Sequence, residues 1–150
     1  MFEIELKSPE KMLIRSKNDE IVVDIMESSI AADIKTKKIF GAGEFEIGGV
    51  SIVAVALENG NGVFYRIKVE GVKIGLISTG ATEADLEELG PIDILGTNDT
   101  KIVSVVEPKI VIPMANMDFA ELKGEVKVEK KLKIKNAILP DNLEIYCLSA

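Results

Sequence analysis

Polar and apolar residues alternate along most of the first half of the chain. In Phe2–Leu6, for example, every second residue is apolar. This alternation is typical of β-strands, because successive side chains of a strand point to opposite faces of the sheet. The pattern and the turn residues that interrupt it predict these strands: Phe2–Leu6, Lys11–Arg15, Glu20–Ile25, Lys37–Phe40, Glu44–Ile47, Val50–Leu57, Val63–Val69 and Val72–Ile77.

Short turns separate the predicted strands. The segment Glu58–Gly62 contains two Asn-Gly pairs, which favour tight hairpins because both residue types tolerate positive φ. Ser28–Asp33 is too short for an assignment, and a single helical turn is the interpretation that stays open there. The first half of the chain is therefore predicted to form an antiparallel sheet.

The periodicity changes after Ser78. Thr82 and Asp85 have the spacing of a helical capping box, and Asn98-Asp99 is typical of a second helix start. The predicted elements of this half are the helices Glu83–Leu89 and Thr100–Val106 and the strands Ile92–Leu95, Lys109–Ile112, Glu125–Lys135 and Leu143–Leu148. Strands that alternate with helices predict neighbouring parallel strands, so the fold class is a strand-rich α/β (α+β) sandwich.

Length, composition and net charge limit the number of domains and the kinds of partner that we expect. The chain has 150 residues, of which 47% are hydrophobic, so we expect one domain over residues 1–150. A formal net charge of −7 argues against nucleic-acid binding, which needs clustered Lys and Arg. The sequence has neither a basic leader nor a long apolar run, so we expect a cytoplasmic protein with no membrane partner.

Polar residues follow the predicted parallel strands. The carboxyl ends of such strands meet at one edge of the sheet, where ligands usually bind. The candidate residues of this cleft are Glu58, Asn59, Ser78, Thr79, Asn98, Asp99, Ala115 and Asn116, with Asp24 at the end of an earlier strand. Their hydroxyls, amides and carboxylates are suited to hydrogen-bonding a small ligand, but they contain no ordinary pair of nucleophile and base.

The chain contains no histidine, and its one cysteine, Cys147, lies in a predicted strand. Ser78 therefore has no imidazole base, and it also lacks the glycine-flanked elbow of serine hydrolases. Catalytic zinc sites characteristically use His or Cys ligands, so a zinc site is not expected. We assign no catalytic residue, no metal ligand and no cofactor.

Six segments of the chain follow one another in an order that is more informative about family resemblance than any single segment. They are Glu20–Asp24, Gly41–Val50, Asn61–Phe64, Gly71–Ile74, Asp85–Leu95 and Pro108–Met114. This order resembles that of the metallo-β-lactamase-fold hydrolases, especially the small metal-dependent hydrolases similar to the ascorbate-6-phosphate lactonase group. The resemblance extends from Phe2 to Leu148. It implies an αββα sandwich, here in a shortened form.

The family's metal-binding residues do not carry over. The resemblance places its His-x-His-x-Asp-His loop after Asp24, where this sequence has no histidine. A further histidine of the family corresponds to Glu58 or its neighbour, the metal-bridging aspartate to Ser78, and the late histidine to Ala115. Losses at all these positions on a scaffold that is still recognisable are typical of a pseudoenzyme.

The sequence therefore favours a non-catalytic protein that acts by ligand binding or self-association. A homodimer or higher homo-oligomer is expected, because a small sandwich has exposed sheet edges. Two alternatives stay open. One is a hydrolase of phosphodiesters, lactones or similar esters with a rearranged carboxylate site for a divalent metal, and the other is a small-metabolite sensor.

Overall fold

A computed structural model describes residues 1–17, 19–26, 29–32, 38–47, 49–58 and 62–149. Within these ranges the chain forms two short helices and a large number of strands. The elements are β1 (Phe2–Ser8), β2 (Lys11–Ser16), β3 (Asp19–Asp24), β4 (Ser29–Ala32), β5 (Lys38–Phe40), β6 (Gly43–Ile47), β7 (Val50–Ala56), β8 (Val63–Val69), β9 (Val72–Ile77), α1 (Glu83–Leu89), β10 (Ile94–Thr97), α2 (Thr100–Val106), β11 (Ile110–Pro113), β12 (Glu125–Glu129), β13 (Leu132–Ile134) and β14 (Glu144–Leu148).

The strands form two sheets. The six-stranded sheet has the order β13-β1-β2-β3-β4-β5 and is antiparallel throughout. The eight-stranded sheet has the order β12-β14-β11-β10-β9-β8-β7-β6; it is antiparallel from β6 to β9 and parallel from β9 to β12. The predicted antiparallel pairing of the first half and the predicted parallel strands of the second half are confirmed, but the first half does not form one sheet, because β1–β5 and β6–β9 belong to different sheets.

Two apolar cores hold these layers together. The larger core lies between the sheets, and β9 contributes Ile74 and Leu76 to it. The smaller core lies between the eight-stranded sheet and the helices, and it contains Ile77 together with Leu86 and Leu89 of α1. Strand β9 is thus buried on both faces, which explains its nearly continuous apolar sequence.

Both helices lie on the outer face of the eight-stranded sheet, since their buried residues belong to the smaller core. The predicted capping box is present: Asp85 N donates to Thr82 Oγ1 at 3.2 Å, and Thr82 N donates to Asp85 Oδ2 at 2.9 Å. Each helix has seven residues. Neither has the length or the apolar run that a membrane span requires.

Several sequence-based boundaries need correction. The open interpretation of Ser28–Asp33 as a helical turn is wrong for Ser29–Ala32, which pairs with β3 as a strand, while its two ends lie outside the described residues. The strand predicted at Ile92–Leu95 begins at Ile94 instead. The preceding residue, Asp93, is held to Lys73 by hydrogen bonds of 2.8 and 2.9 Å and does not join the β10 ladder.

The predicted strand Glu125–Lys135 is two strands that belong to different sheets. Its first part is β12, at the edge of the eight-stranded sheet, and its last part is β13, at the edge of the six-stranded sheet. The apolar residues of both parts stand at even-numbered positions, and Lys130 is the one polar residue that interrupts the alternation. The two strands separate at this interruption, but a single polar residue does not show that the second strand joins another sheet.

Candidate functional site

The carboxyl ends of the parallel strands lie at one edge of the eight-stranded sheet, and the loops after β9 and β10 meet there. Thr79 N donates a hydrogen bond to Asn98 Oδ1 at 2.8 Å, and Thr79 Oγ1 donates to Asp99 Oδ2 at 3.2 Å. Asp99 is also the N-cap of α2, where its Oδ1 accepts from Lys101 N at 2.9 Å. The structure thus brings together three residues of the predicted cleft.

A second set of hydrogen bonds joins the loop after β7 to the start of α1. Thr82 Oγ1 donates to Glu58 Oε2 at 3.0 Å, and Glu58 N donates to Asp85 Oδ1 at 3.2 Å. Asp85 is only 3% exposed, so its carboxylate is buried between these two segments. We call this edge the polar corner, and it consists of Glu58, Thr79, Thr82, Asp85, Asn98 and Asp99.

The remaining predicted cleft residues do not share these hydrogen bonds. Ser78 is half-buried at the end of β9, and Asn59 lies outside the described residues. Ala115 and Asn116 follow β11, and both adopt the left-handed conformation, with φ of 48° and 58°. Ala115 N donates to Pro9 O at 2.7 Å, so this loop is tied to the β1–β2 turn of the other sheet.

A cavity of about 220 Å³ opens beside the Ala115 loop. It lies at the carboxyl ends of β11 and β14, and the β1–β2 turn closes one side of it. Its wall is mainly apolar, and none of the described residues that line it has a charged side chain. We call it the apolar corner, and it is lined by Leu6, Pro9, Pro113, Ala115, Asn116, Met117, Phe119, Cys147 and Leu148.

Cys147 contributes a thiol to the apolar corner, and burial raises the pKa of that thiol. Since the thiolate is the reactive form, a raised pKa keeps the side chain neutral and unreactive near neutral pH. The chain also contains no histidine that could take its proton. Cys147 therefore has the chemistry of a small apolar wall residue.

Asp24, at the end of β3, lies near Tyr65 of the core between the sheets and affects its ionisation. Asp24 is 8% exposed, and its Oδ1 accepts from Met26 N at 2.9 Å. Burial, together with the charge of Asp24, raises the pKa of Tyr65 to about 12. Within the described part of the chain, the buried Tyr65 hydroxyl has no hydrogen-bond partner, which makes it a costly group in this core.

The residues at this edge do not fit a zinc ion. Among the residues that the structure describes, no three His, Cys, Asp or Glu side chains are grouped as metal ligands would be. The carboxylates of the polar corner already accept hydrogen bonds from neighbouring loops. Zinc in proteins favours nitrogen and sulfur ligands, and the one thiol of this chain lies in the apolar corner.

Methionine side chains fill the space between the sheets below β10. A Cβ atom on Gly96 would lie 2.8 Å from Met12 Cε and 2.9 Å from Met114 Sδ. Both methionines are buried, at 0% and 1% exposure. The interior beneath this edge is therefore packed, and the open volume lies to the side, at the apolar corner.

Sequence reasoning found part of each corner and missed the rest. The capping box identified Asp85 as a helix cap, but its bond to Glu58 depends on how the β7 loop folds onto α1. Phe119 and Met117 had no signal, since the chain after β11 has no regular periodicity. Leu6 and Pro9 come from the opposite end of the sequence, so only the tertiary structure brings them to the cavity.

The fold is similar to that of a solved structure from Thermotoga maritima, described as a "putative zn-dependent hydrolase of the metallo-beta-lactamase superfamily". The two chains are 16% identical with a TM-score of 0.71, and the match covers 99% of this chain and 100% of the other. This likeness shows the fold, so the predicted strand-rich sandwich of the metallo-β-lactamase type is confirmed. Among the described residues both helices cover the eight-stranded sheet, so the structure shows one of the two helical layers that αββα implies. No protein-family model and no curated protein matches the sequence.

Proposed function

We propose that this chain is a non-catalytic protein that binds a small neutral ligand on a metallo-β-lactamase-type scaffold. The observation that carries the proposal is the apolar corner, a cavity of about 220 Å³ at the carboxyl edge of the parallel strands. Ligands of open α/β sheets usually bind at this edge. Ala115, where the sequence resemblance places the late histidine of the family, is part of the cavity wall.

The wall of the cavity defines the class of ligand. It contains no Lys, Arg, Asp or Glu, so it offers no partner for a charged group. An apolar cavity of roughly 150 Å³ accommodates benzene, so this larger volume suits a single-ring compound with about six to twelve non-hydrogen atoms. Asn116 is suited to fix its orientation, because an amide both donates and accepts hydrogen bonds.

The donor set argues against the hydrolase alternative. The similar protein from Thermotoga maritima is described as zinc-dependent, but this chain has no histidine to bind zinc. Glu58, which the carboxylate alternative needs, accepts a hydrogen bond from Thr82 at 3.0 Å. Likeness to the ascorbate-6-phosphate lactonase group and loss of catalysis stay predictions, and activity assays address both.

Binding can be tested with neutral single-ring probes. We expect indole, benzamide or benzyl alcohol to bind with a dissociation constant of roughly 0.1–1 mM, measured by ligand-observed NMR. Cys147→Leu adds bulk to the cavity wall and should abolish binding. Cys147→Ala is the matched control, because it leaves the cavity open. Equal binding to both variants, or no binding of any probe to the wild-type protein, contradicts the proposal.

Catalysis needs a separate experiment. The purified protein is loaded with Zn²⁺, Mn²⁺ or Mg²⁺ and assayed with phosphodiester and lactone substrates. We expect neither stoichiometric metal nor turnover. Turnover that depends on bound metal and is abolished by Glu58→Ala would establish the hydrolase alternative.

A further inference from the structure

Strand β12 lies at the outer edge of the eight-stranded sheet, and among the strands that the structure describes it pairs only with β14. Glu125 N donates to Leu143 O, and Glu129 O accepts from Ser149 N, both at 3.2 Å. In a parallel pair, the residues that bond to the neighbouring strand stand at every second position. The backbone groups of Val126 and Val128 therefore point away from β14, toward the free edge.

The side chains of these two valines are also exposed. Val126 is 50% exposed and Val128 is 76% exposed, which is the highest value among the exposed large hydrophobic residues in the described part of the chain. Free backbone donors and acceptors beside apolar side chains form a template for another strand. β12 is thus the edge of the eight-stranded sheet that is suited to strand addition.

The charges of β12 show which strand fits this edge. Glu125, Lys127 and Glu129 alternate in sign at every second position of the strand. An antiparallel partner of the same sequence can pair without breaking the hydrogen-bond pattern in registers centred on Val126, Lys127 or Val128. The register centred on Lys127 opposes like charges and is disfavoured.

The two remaining registers both pair opposite charges, but they differ in what lies opposite Val128. In the register centred on Val126, Val128 faces Gly124 of the second copy, which has no side chain to cover it. In the register centred on Val128, the two copies of Val128 cover each other. This register also places Lys127 and Glu129 of one copy opposite Glu129 and Lys127 of the other.

We propose that two copies of this chain associate by antiparallel pairing of β12, with Val128 on the two-fold axis. The two eight-stranded sheets then form one continuous sheet across the dimer. Lys127 is already held in place, with its Nζ 3.2 Å from Glu144 Oε2 and 5.7 Å from the centre of the Tyr146 ring. One strand pair buries less than a standard interface of roughly 1,600 Å², so the dimer is a weak one.

This inference is independent of ligand binding at the apolar corner, and disulfide cross-linking tests its register. Val128 lies opposite Cys147 of β14, so the native thiol is first removed by Cys147→Ser. In that background Val128→Cys should form a disulfide-linked dimer under mild oxidation, because the two-fold axis brings the two thiols together. Ile138→Cys, at a position that is 71% exposed, is the control for random collision.

The outcomes of cross-linking are distinct. A dimer yield for Val128→Cys at least about ten times that of Ile138→Cys supports the proposal. A higher yield for Val126→Cys than for Val128→Cys, in the same background, would overturn the register. Equal yields at positions 128 and 138 would overturn the interface.

Charge reversal tests the interface without a cross-link. Glu129→Lys places like charges opposite each other, leaves the Lys127–Glu144 ion pair in place and should raise the dimer dissociation constant at least about ten-fold in sedimentation equilibrium. Glu88→Lys makes the same change of charge at an exposed position of α1 and should leave the dissociation constant unchanged. An equal effect of the two variants, or a monomeric wild-type protein at millimolar concentration, would contradict the proposal.

Discussion

The polar corner and the apolar corner lie at the same edge of the sheet but treat their polar groups in opposite ways. At the polar corner, Asp85 accepts hydrogen bonds from both Glu58 N and Thr82 N, and Asp99 accepts from Lys101 N and Thr79 Oγ1. At the apolar corner, the wall consists mainly of apolar side chains around an open volume. The polar groups of the polar corner hydrogen-bond to one another and join loops, whereas the apolar corner contains the cavity.

This difference assigns a structural role to the polar corner and ligand binding to the apolar corner. A carboxylate whose oxygens accept hydrogen bonds from the fold has fewer lone pairs left for a metal ion or a proton. The cavity of the apolar corner is not occupied by hydrogen-bonded groups of the described part of the fold. We therefore expect substitutions at the polar corner to change the free energy of unfolding, and substitutions at the apolar corner to change binding.

The largest expected effect is that of Asp85→Ala. The substitution leaves the backbone N–H groups of Glu58 and Thr82 without acceptors in a place where Asp85 is 3% exposed. The loss of these charge-assisted bonds should lower the free energy of unfolding by about 3 kcal/mol, measured by urea denaturation.

Glu88→Ala is the control for Asp85→Ala, because Glu88 is an exposed residue of the same helix. We expect it to change the free energy of unfolding by less than about 0.5 kcal/mol. If Asp85→Ala were equally mild, the polar corner would not be structural. Its carboxylates would then be available for chemistry.

The second prediction concerns Tyr65, whose hydroxyl is polar but belongs to neither corner. Its pKa is about 12 in the folded protein, against 10.0 for an ordinary tyrosine. Below pH 10 both states are neutral and the effect is absent. Above pH 10 the unfolded chain ionises first, so the free energy of unfolding should fall by about 2–3 kcal/mol between pH 10 and pH 12.

Tyr65→Phe isolates this contribution. The variant should lack this part of the alkaline decline. At neutral pH it should equal the wild type or exceed it by up to about 1 kcal/mol, because the removed hydroxyl is buried with no partner among the described residues. Tyr146→Phe is the control at neutral pH, where it should not stabilise the protein, since its hydroxyl donates to Glu144 at 3.3 Å. Burial and the charge of Glu144 raise the pKa of Tyr146 as well, so this variant should also lose part of the alkaline decline. An alkaline decline that is unchanged in Tyr65→Phe would contradict the assignment.

Local sequence signals predicted much of the fold. The capping box of α1 and the N-cap of α2 each depend on residues only a few positions apart, so both were visible in the sequence. Strand alternation found most of the strands for the same reason. It failed where neighbouring segments change sheets, as between β12 and β13, because the side-chain period says nothing about which sheet a strand joins.

The candidate site was less predictable. The rule that loops meet at the carboxyl ends of parallel strands located Thr79, Asn98 and Asp99 correctly as neighbours. It did not reveal that their polar atoms bond to each other and to helix ends. The cavity could not be found either, because its walls combine Leu6 and Leu148, which only the pairing of distant strands brings together.

The smallest predicted effect compares two caps within the polar corner. Asp99 Oδ1 caps α2 through Lys101 N, and Asp99 Oδ2 accepts from Thr79 Oγ1, but both contacts are exposed to solvent. Water can replace much of what is lost, so Asp99→Ala should lower the free energy of unfolding by only about 1 kcal/mol in urea, a third of the effect of Asp85→Ala. Asn142→Ala, at an exposed turn position, is the control and should have almost no effect. If Asp99→Ala were as destabilising as Asp85→Ala, burial would not determine how much these hydrogen bonds contribute to stability. The hydrogen bonds between loops would then be the main source of stability at this edge.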